Sequence, residues 1–232
     1  MRNNYKYAGL IIIILVFGII FIPKIVDRLA NDTAVQDNRS LPAKPLAYIK
    51  LDGEAKRVPD FLMHNQDSLL ISNEDYLGKV YVAEFFFSRC PTICPIMNRN
   101  MKILDDRFWK RQDFGIASFT IDPAHDTPLI LKEYSQRYKV KSQNWHFLND
   151  EKDQIYKLAN SGFSIFASIN PEVAGGFEHQ GYFALIDKKG YIRSRLDRFD
   201  NPIVYYLGID REDQDIQGVE MLLEDIELLL KE

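Results

Sequence analysis

The chain has no excess of positive charge. Its 232 residues include 29 lysines and arginines against 33 aspartates and glutamates, which gives a formal net charge of -4 at pH 7. A surface without a net basic charge has little with which to neutralise phosphates, so no nucleic-acid partner is expected. Internal repeats and low-complexity tracts are also absent. The length and the hydrophobic content of 46% fit one domain with short appendages.

Cysteine is scarce, and both cysteines lie in the stretch FFFSRCPTICPIMNRNM, as Cys90 and Cys94. Cys90 follows a predicted buried strand and precedes a predicted helix, whose N-terminus favours the thiolate. If the intervening turn is helical, the two sulfurs can converge on one metal ion or on each other. Pro91 is expected in the first helical turn. Pro95 is expected to interrupt the next turn and leave a rigid, kinked segment.

Histidine is the second scarce metal-binding residue. Two thiolates suit Cu(I) in a two-coordinate site, and one imidazole would make the site trigonal, whereas zinc normally takes four ligands. His179 follows Gly175 and Gly176 and precedes the apolar run YFALI, so it is expected where a mobile loop meets a strand. Such a loop can bring the imidazole to the sulfurs. The other histidines in the sequence are His64, His125 and His146.

The N-terminal segment predicts membrane targeting. Residues 8–22 are almost wholly apolar and follow Arg2 and Lys6. This run is slightly shorter than the roughly 20 residues that a bilayer core needs, but flanking tyrosines and a lysine stem can fill the interfaces. We therefore predict an anchor over residues 1–28, with the N-terminus in the cytoplasm and the domain outside it. A cleaved signal peptide is the alternative. Residues 29–45 are polar and contain prolines, which predicts a flexible linker.

Residues 46–232 are predicted to form one α/β domain. The short alternating segments LAYIKLDG and RVPDFLMHNQDSLLISNEDYLG predict β-hairpins. KVYVAEFFF and FGIASFTID are continuous apolar runs, typical of strands buried on both faces, and a helical pattern follows each. GYFALIDKKGYIRSRLD predicts a late hairpin, and DQDIQGVEMLLEDIELLLKE predicts an amphipathic C-terminal helix. Alternating strands and helices indicate a sheet covered by helices.

Four segments, in this order, resemble the Sco/SenC family of copper chaperones: GKVYVAEFFFSRCPTICPIMNRNM, FTIDPAHDTP, NWHFLND and EHQGYFALIDKKG. The resemblance begins at about Asp60 and reaches the C-terminus. It implies a thioredoxin-like fold, here with an N-terminal β-hairpin extension and preceded by a single transmembrane helix. It also implies that Cys90, Cys94 and His179 bind copper, as Cu(I) and also as Cu(II). In that family the copper is destined for the binuclear CuA centre of cytochrome c oxidase.

A membrane-tethered copper chaperone without enzymatic turnover is thus the leading hypothesis. The implied partners are the copper-bearing subunit of the oxidase and other periplasmic copper or thiol-redox proteins. The implied place is the cytoplasmic (inner) membrane, with the domain in the periplasm. A bacterial periplasm is favoured over a mitochondrion because no long Arg-rich and Ser-rich presequence precedes the apolar run.

Two other uses of the cysteine pair are open. Cys90 and Cys94 can form a disulfide, so the chain can act as a thiol:disulfide oxidoreductase that reduces the cysteines of the oxidase copper site. A purely structural disulfide would stabilise little across so short a loop. A peroxiredoxin-like peroxidase is disfavoured, because the sequence lacks Pro-x-x-x-Thr-x-x-Cys.

Other residues near the cysteine pair in the sequence or in the predicted fold have predicted roles. Glu84 lies inside the apolar strand, as a buried acid does in thioredoxins, so we hypothesise a raised pKa and an influence on proton transfer at the cysteines. A strand-end or salt-bridged Glu84 is the alternative. Asp122 and Asp126 are expected to position the site, and Met97 and Met101 to fill the core. The family pattern requires His179 alone among the histidines. The other three are expected to be structural or exposed, and His125 is the best substitute ligand among them.

Overall fold

The computed structural model describes residues 14–19, 21–23, 45–197, 199–213 and 216–232. The chain divides into two units, Met1–Asn38 and Arg39–Glu232. In the first unit, residues 14–19 and 21–23 are helical. Among the described residues, no helix combines the length and the hydrophobicity that crossing a membrane requires. Parts of the predicted anchor and nearly all of the predicted linker lie outside the described residues, so these predictions stay predictions.

The second unit is built from short strands and α-helices. The strands are β1 (Ala47–Tyr48), β2 (Lys50–Leu51), β3 (Glu54–Ala55), β4 (Leu62–His64), β5 (Leu70–Ser72), β6 (Val80–Phe86), β7 (Phe114–Thr120), β8 (Trp145–Leu148), β9 (Ala167–Ile169), β10 (Phe177–His179), β11 (Tyr182–Ile186), β12 (Ile192–Ser194) and β13 (Tyr206–Leu207). The helices are α1 (Cys94–Phe108), α2 (Pro128–Arg137), α3 (Lys152–Lys157) and α4 (Gly218–Lys231).

The main sheet has the order β1-β12-β11-β6-β7-β8, with β13 also paired to β11. The two apolar runs form β6 and β7, which pair in parallel and bury all of their residues, as predicted. β8 continues the parallel half, and β11 and β12 form the predicted antiparallel hairpin. Two βαβ units followed by an antiparallel hairpin and a C-terminal helix make the thioredoxin-like α/β arrangement. The expected N-terminal hairpins are β2–β3 and β4–β5.

The helix after β6 begins later than the sequence pattern predicts. α1 starts at Cys94, so neither Cys90 nor Pro91 is helical. Pro95 does not kink the helix but occupies its first turn, where a missing N–H costs nothing. A proline inside a helix clashes with the carbonyl four residues earlier, which here belongs to Pro91, so α1 cannot extend back to Cys90. Cys90 therefore sits on an irregular loop and Cys94 at a helix N-terminus.

The helices show three further features. Thr127 caps α2 and Pro128 is in its first turn, positions that these residue types favour. Met97 and Met101 are fully buried on α1 and belong to the core, as predicted. The segment KDQIYKLANSGF is not one α-helix, because α3 runs directly into a π-helical turn at Leu158–Phe163.

Candidate metal centre

The loop that carries Cys90 is held in place by two aspartates of the D-P-x-x-D-T-P segment. Asp126 is fully buried and accepts hydrogen bonds from the Ser88 backbone N–H, at 3.0 Å, and from the Ser88 hydroxyl. Arg89 donates through Nε to Asp122 at 2.7 Å. Because β6 and β7 are parallel, their carboxyl ends meet at one edge of the sheet. The aspartates thus tie the two residues before Cys90 to the neighbouring loop, the positioning role expected of them.

Cys90, Cys94 and His179 lie together at this edge. Their ligand atoms are all within 4.8 Å of one another. The Sγ of Cys94 is 3.2 Å from Nε2 of His179. A trigonal site with metal–ligand bonds of about 2.0–2.3 Å places its donors roughly 3.5–4 Å apart. Small shifts are therefore enough to close the three donors on one ion.

His179 reaches the sulfurs from the end of a separate hairpin. β9 and β10 pair with each other and not with the main sheet. Their connecting turn contains Gly175, whose φ is +90° and whose missing Cβ would lie 2.9 Å from the Phe87 ring. Only glycine combines this backbone conformation with so close an approach. The Phe87 ring also meets the His179 imidazole edge-on, with centroids 5.8 Å apart. The hairpin is thereby folded onto the cysteine loop.

The hydrogen bonds of His179 leave its Nε2 free for a metal. Nδ1 lies 3.3 Å from the backbone carbonyl of Gln180, which can only accept. Nδ1 therefore carries the proton in the neutral ring, and Nε2 presents its lone pair toward Cys94. Metal-binding histidines commonly use a backbone carbonyl in this way to fix the tautomer. The imidazole is thus already in the tautomer that a metal bound through Nε2 requires.

The two cysteines differ strongly in acidity. A hydrogen bond from the Cys94 thiol, with smaller contributions from the His179 side chain and from the backbone N–H groups of Cys94 and Thr92, lowers the pKa of Cys90 to about 3. Burial, reinforced by the neighbouring Cys90 sulfur, raises the pKa of the Cys94 thiol above its ordinary value. At neutral pH the pair therefore holds one proton, on Cys94. A metal ion that binds both sulfurs must displace that proton.

Access to the pair is through Cys90. Its exposure is 8%, against 1% for Cys94. A pocket of about 180 Å³ lies at Cys90, with Val173 and Phe177 among the apolar residues that line it. Thr92, whose Oγ1 is 3.6 Å from the Cys90 sulfur, also lines the pocket and was not singled out from the sequence. The sequence did offer one indication of its role, since a hydroxyl residue stands between the two cysteines.

The other histidines do not join this cluster within the described part of the chain. His64 is exposed on β4, and His125 lies in the loop before α2. His146, on β8, shares a hydrogen bond of 3.1 Å between its Nδ1 and the amide of Asn65. These positions agree with the structural or exposed roles expected for all three.

Glu84 is buried in the middle of β6. Its Oε1 accepts a hydrogen bond from the Ser118 hydroxyl at 2.7 Å, and that hydroxyl accepts one from Trp145 Nε1 at 3.0 Å. Its Oε2 has no hydrogen-bond partner, and no cation forms an ion pair with it among the described residues. Burial raises the pKa of Glu84 to about 7. The negative charge of the Glu84 carboxylate in turn contributes to the raised pKa of Cys94. The influence on proton transfer at the cysteines stays a hypothesis.

This environment predicts a pH-dependent stability. Because the folded chain keeps the Glu84 proton to about pH 7 and the unfolded chain loses it near 4.5, stability should fall as pH rises between these values. The fall should amount to about 3 kcal/mol. Glu84→Gln should remove it, as measured by urea unfolding at about pH 5 and about pH 8. Parallel profiles for the two proteins would contradict this prediction, and an unchanged thiol titration in Glu84→Gln would contradict the coupling to the cysteines.

The sequence matches an established family. Residues 50–212 match SCO1/SenC. The SCO1 protein homolog of Bacillus subtilis (strain 168) is 32% identical over 146 residues, which cover 62% of this chain and 75% of that protein.

Solved structures share the fold. A SCO1/SenC family lipoprotein from Bacillus anthracis str. Ames matches with a TM-score of 0.64 and 27% identity, covering 82% of this chain and 99% of that one. BsSco, a member of the Sco family of cytochrome c oxidase assembly proteins with a disulfide switch, matches at 0.61 and 26%, covering 81% and 96%. Copper-bound ScoI of Bradyrhizobium japonicum, at 0.57 and 17%, covering 75% and 99%, shares the fold. Since the matched residues include the cysteine motif, the histidine and most of the sheet, the chain belongs to the SCO1/SenC family.

Proposed function

We propose that this chain is a membrane-tethered copper chaperone that delivers copper to the CuA centre of cytochrome c oxidase. The observation that carries the proposal is the convergence of two sulfurs and one imidazole nitrogen at one edge of the sheet. Membership of the family, one member of which is described as a cytochrome c oxidase assembly protein, supports the choice of recipient. Copper is the cargo here, taken from a donor and passed to a partner.

The donor set suits Cu(I) better than the commoner alternatives. Cu(I) is a soft ion that prefers thiolates and accepts two or three ligands, whereas zinc normally takes four. Cys90 supplies a thiolate at once because its pKa is low, and Cys94 supplies the second after losing its proton. His179 adds one nitrogen with its lone pair already exposed. Cu(II) as a second bound state is part of the same proposal.

A second candidate function is favoured by the unequal acidity of the cysteines. The Cys90 thiolate can attack a disulfide of an oxidase subunit, forming a mixed disulfide and releasing one partner thiolate. Cys94 then loses its proton and attacks the Cys90 sulfur, which releases the second partner thiolate and leaves a Cys90–Cys94 disulfide. The partner disulfide is reduced and the pair is oxidised, so another thiol must reduce the pair afterwards.

Replacing His179 separates the two functions. His179→Ala should weaken Cu(I) retention about tenfold or more, because one of three donors is lost. It should change the rate of dithiol exchange much less, because both sulfurs remain. Retention is measured anaerobically by competition with a chromophoric Cu(I) chelator, and exchange by reduction of a model disulfide. The matched control is His64→Ala, an exposed histidine outside the cluster, which should alter neither reading. Full copper retention in His179→Ala would rule out the three-ligand site.

The proposed location is the cytoplasmic membrane, with residues 1–28 as a single-pass anchor, residues 29–45 as a linker and residues 46–232 in the periplasm. The apolar run at residues 8–22 behind Arg2 and Lys6 supports this proposal. Partners then include the copper-bearing oxidase subunit and other periplasmic copper or thiol-redox proteins. Carbonate extraction of membranes tests the anchor, since release of the chain into the soluble fraction would contradict it.

A further inference from the structure

The position of His179 depends on contacts outside its own hairpin. β9 and β10 form a separate two-stranded sheet, and such a sheet is only marginally stable by itself. At the turn of the hairpin, Gly175 is packed against Phe87 and Pro91. The opposite end, where His179 lies, needs its own attachment.

Ala167 is the residue through which that end can be attached. It lies directly opposite His179 in the register of the hairpin. The next pair along is bonded across the strands, since the Gln180 N–H donates to the Phe166 carbonyl at 3.1 Å. Hydrogen-bonded and non-bonded pairs alternate in antiparallel strands, so Ala167 turns its N–H and C=O away from β10. Both groups therefore need a partner on the other side.

Asn160 is that partner for both groups. Its Oδ1 accepts a hydrogen bond from the Ala167 N–H at 3.0 Å, and its Nδ2 donates to the Ala167 carbonyl at 3.0 Å. Nδ2 also donates to the Tyr156 carbonyl at 3.0 Å, which fastens the side chain to its own helix. The Asn160 carboxamide thus makes the two hydrogen bonds to Ala167 that the backbone of a third strand would otherwise make.

Asn160 belongs to the π-helical turn Leu158–Phe163, immediately before the hairpin. Short π-helical segments occur frequently at functional sites. This π-helical turn places the Asn160 amide against Ala167, the first residue of β9.

We propose that Asn160 is a positioning residue for the metal centre, because its carboxamide fixes Ala167 and thereby the imidazole of His179 opposite. The inference rests on the proposed role of His179 as a copper ligand. Asn160 acts on the site through the backbone of β9.

The test is a double-mutant cycle on the full, reduced chain. Asn160→Ala should weaken Cu(I) retention about fivefold, as expected when hydrogen bonds that hold a ligand in place are lost. In the His179→Ala background the same substitution should have no further effect, because it acts through the missing imidazole. Equal losses in both backgrounds would overturn the inference. Asn160→Asp, which keeps the acceptor for the Ala167 N–H but loses the donor to its carbonyl, should also weaken retention.

Asn144→Ala is the matched control. The amide of Asn144 also donates to backbone carbonyls, those of Gln112 and Phe114, but at the start of β7, the end of the strands away from Cys90. It should lower the free energy of unfolding about as much as Asn160→Ala and leave Cu(I) retention unchanged. Weakened retention in Asn144→Ala would show that Asn160→Ala acts by general destabilisation.

A metal-free measurement separates failure of this inference from failure of the proposed function. In the apo chain, Asn160→Ala should speed hydrogen exchange at the Gln180 amide and shift the NMR signals of the His179 ring, and Asn144→Ala should do neither. Unchanged exchange and ring signals would overturn the positioning role, whatever the protein binds. If these signals change while His179→Ala keeps its copper, Asn160 positions His179 but the three-ligand copper site of the proposed function is wrong.

Discussion

Cys94→Ser is expected to abolish tight Cu(I) binding, with a loss of several orders of magnitude in affinity. The hydroxyl replaces one of two thiolates, the ligands that a soft monovalent copper ion prefers. It also removes the buried sulfur that lies 3.2 Å from Nε2 of His179. The measurement is an anaerobic competition titration with a Cu(I) chelator, and circular dichroism shows whether the fold is kept.

Cys90→Ser is the companion variant, and the two should differ in thiol chemistry. Both should lose copper. Cys94→Ser keeps the more accessible Cys90 sulfur, with a serine hydroxyl in place of the thiol that donates to it. It should accumulate a mixed disulfide with a model disulfide, because the second sulfur that resolves it is missing. Cys90→Ser should form almost none, since Cys94 is buried and its pKa is raised. Wild-type copper affinity in either variant would contradict the two-sulfur site.

Asp225→Ala is expected to lower the free energy of unfolding by about 3–5 kcal/mol, more than any other substitution proposed above. Asp225 on α4 and Arg195 after β12 are both fully buried, and the guanidinium donates hydrogen bonds of 2.8, 3.0 and 3.3 Å to the carboxylate. The Tyr206 hydroxyl also donates to Asp225, at 2.7 Å. Removing the carboxylate leaves the Arg195 charge in the interior without its buried counterion. The free energy of unfolding from denaturant titration measures the loss.

Glu224→Ala is the control for this prediction. Glu224 accepts from the same guanidinium at 2.6 Å, but its side chain is 54% exposed. Exposed ion pairs contribute at most about 1 kcal/mol, so this variant should be nearly as stable as the parent. Equal losses in Asp225→Ala and Glu224→Ala would mean that burial does not set the strength of this network.

The main elements could be predicted because their signals are local. The apolar runs that became β6 and β7, and the pattern that became α4, are visible in consecutive residues. The start of α1 was mispredicted because two prolines four positions apart both fit a first helical turn. Only Pro95 can occupy it, and its ring then excludes Pro91 from the helix.

The candidate site was predictable in part. The cysteine pair is evident from its spacing, but only the family resemblance distinguishes His179 clearly from the other histidines, since a lone histidine is weak evidence for a metal site. The contacts of Asn160 with Ala167 and of Glu84 with Ser118 were not predictable, because they join residues on different elements. Such contacts depend on the register of the sheet and hairpin, which one sequence does not fix.

An anaerobic titration of the reduced full chain with Cu(I), with X-ray absorption to identify the ligands, tests the proposed three-ligand site most directly. We expect one tightly held ion per chain, bound by two sulfurs and one nitrogen, with the nitrogen lost in His179→Ala. No tight binding, together with an active Cys90–Cys94 disulfide, would contradict this expectation and leave the oxidoreductase as the function of the pair.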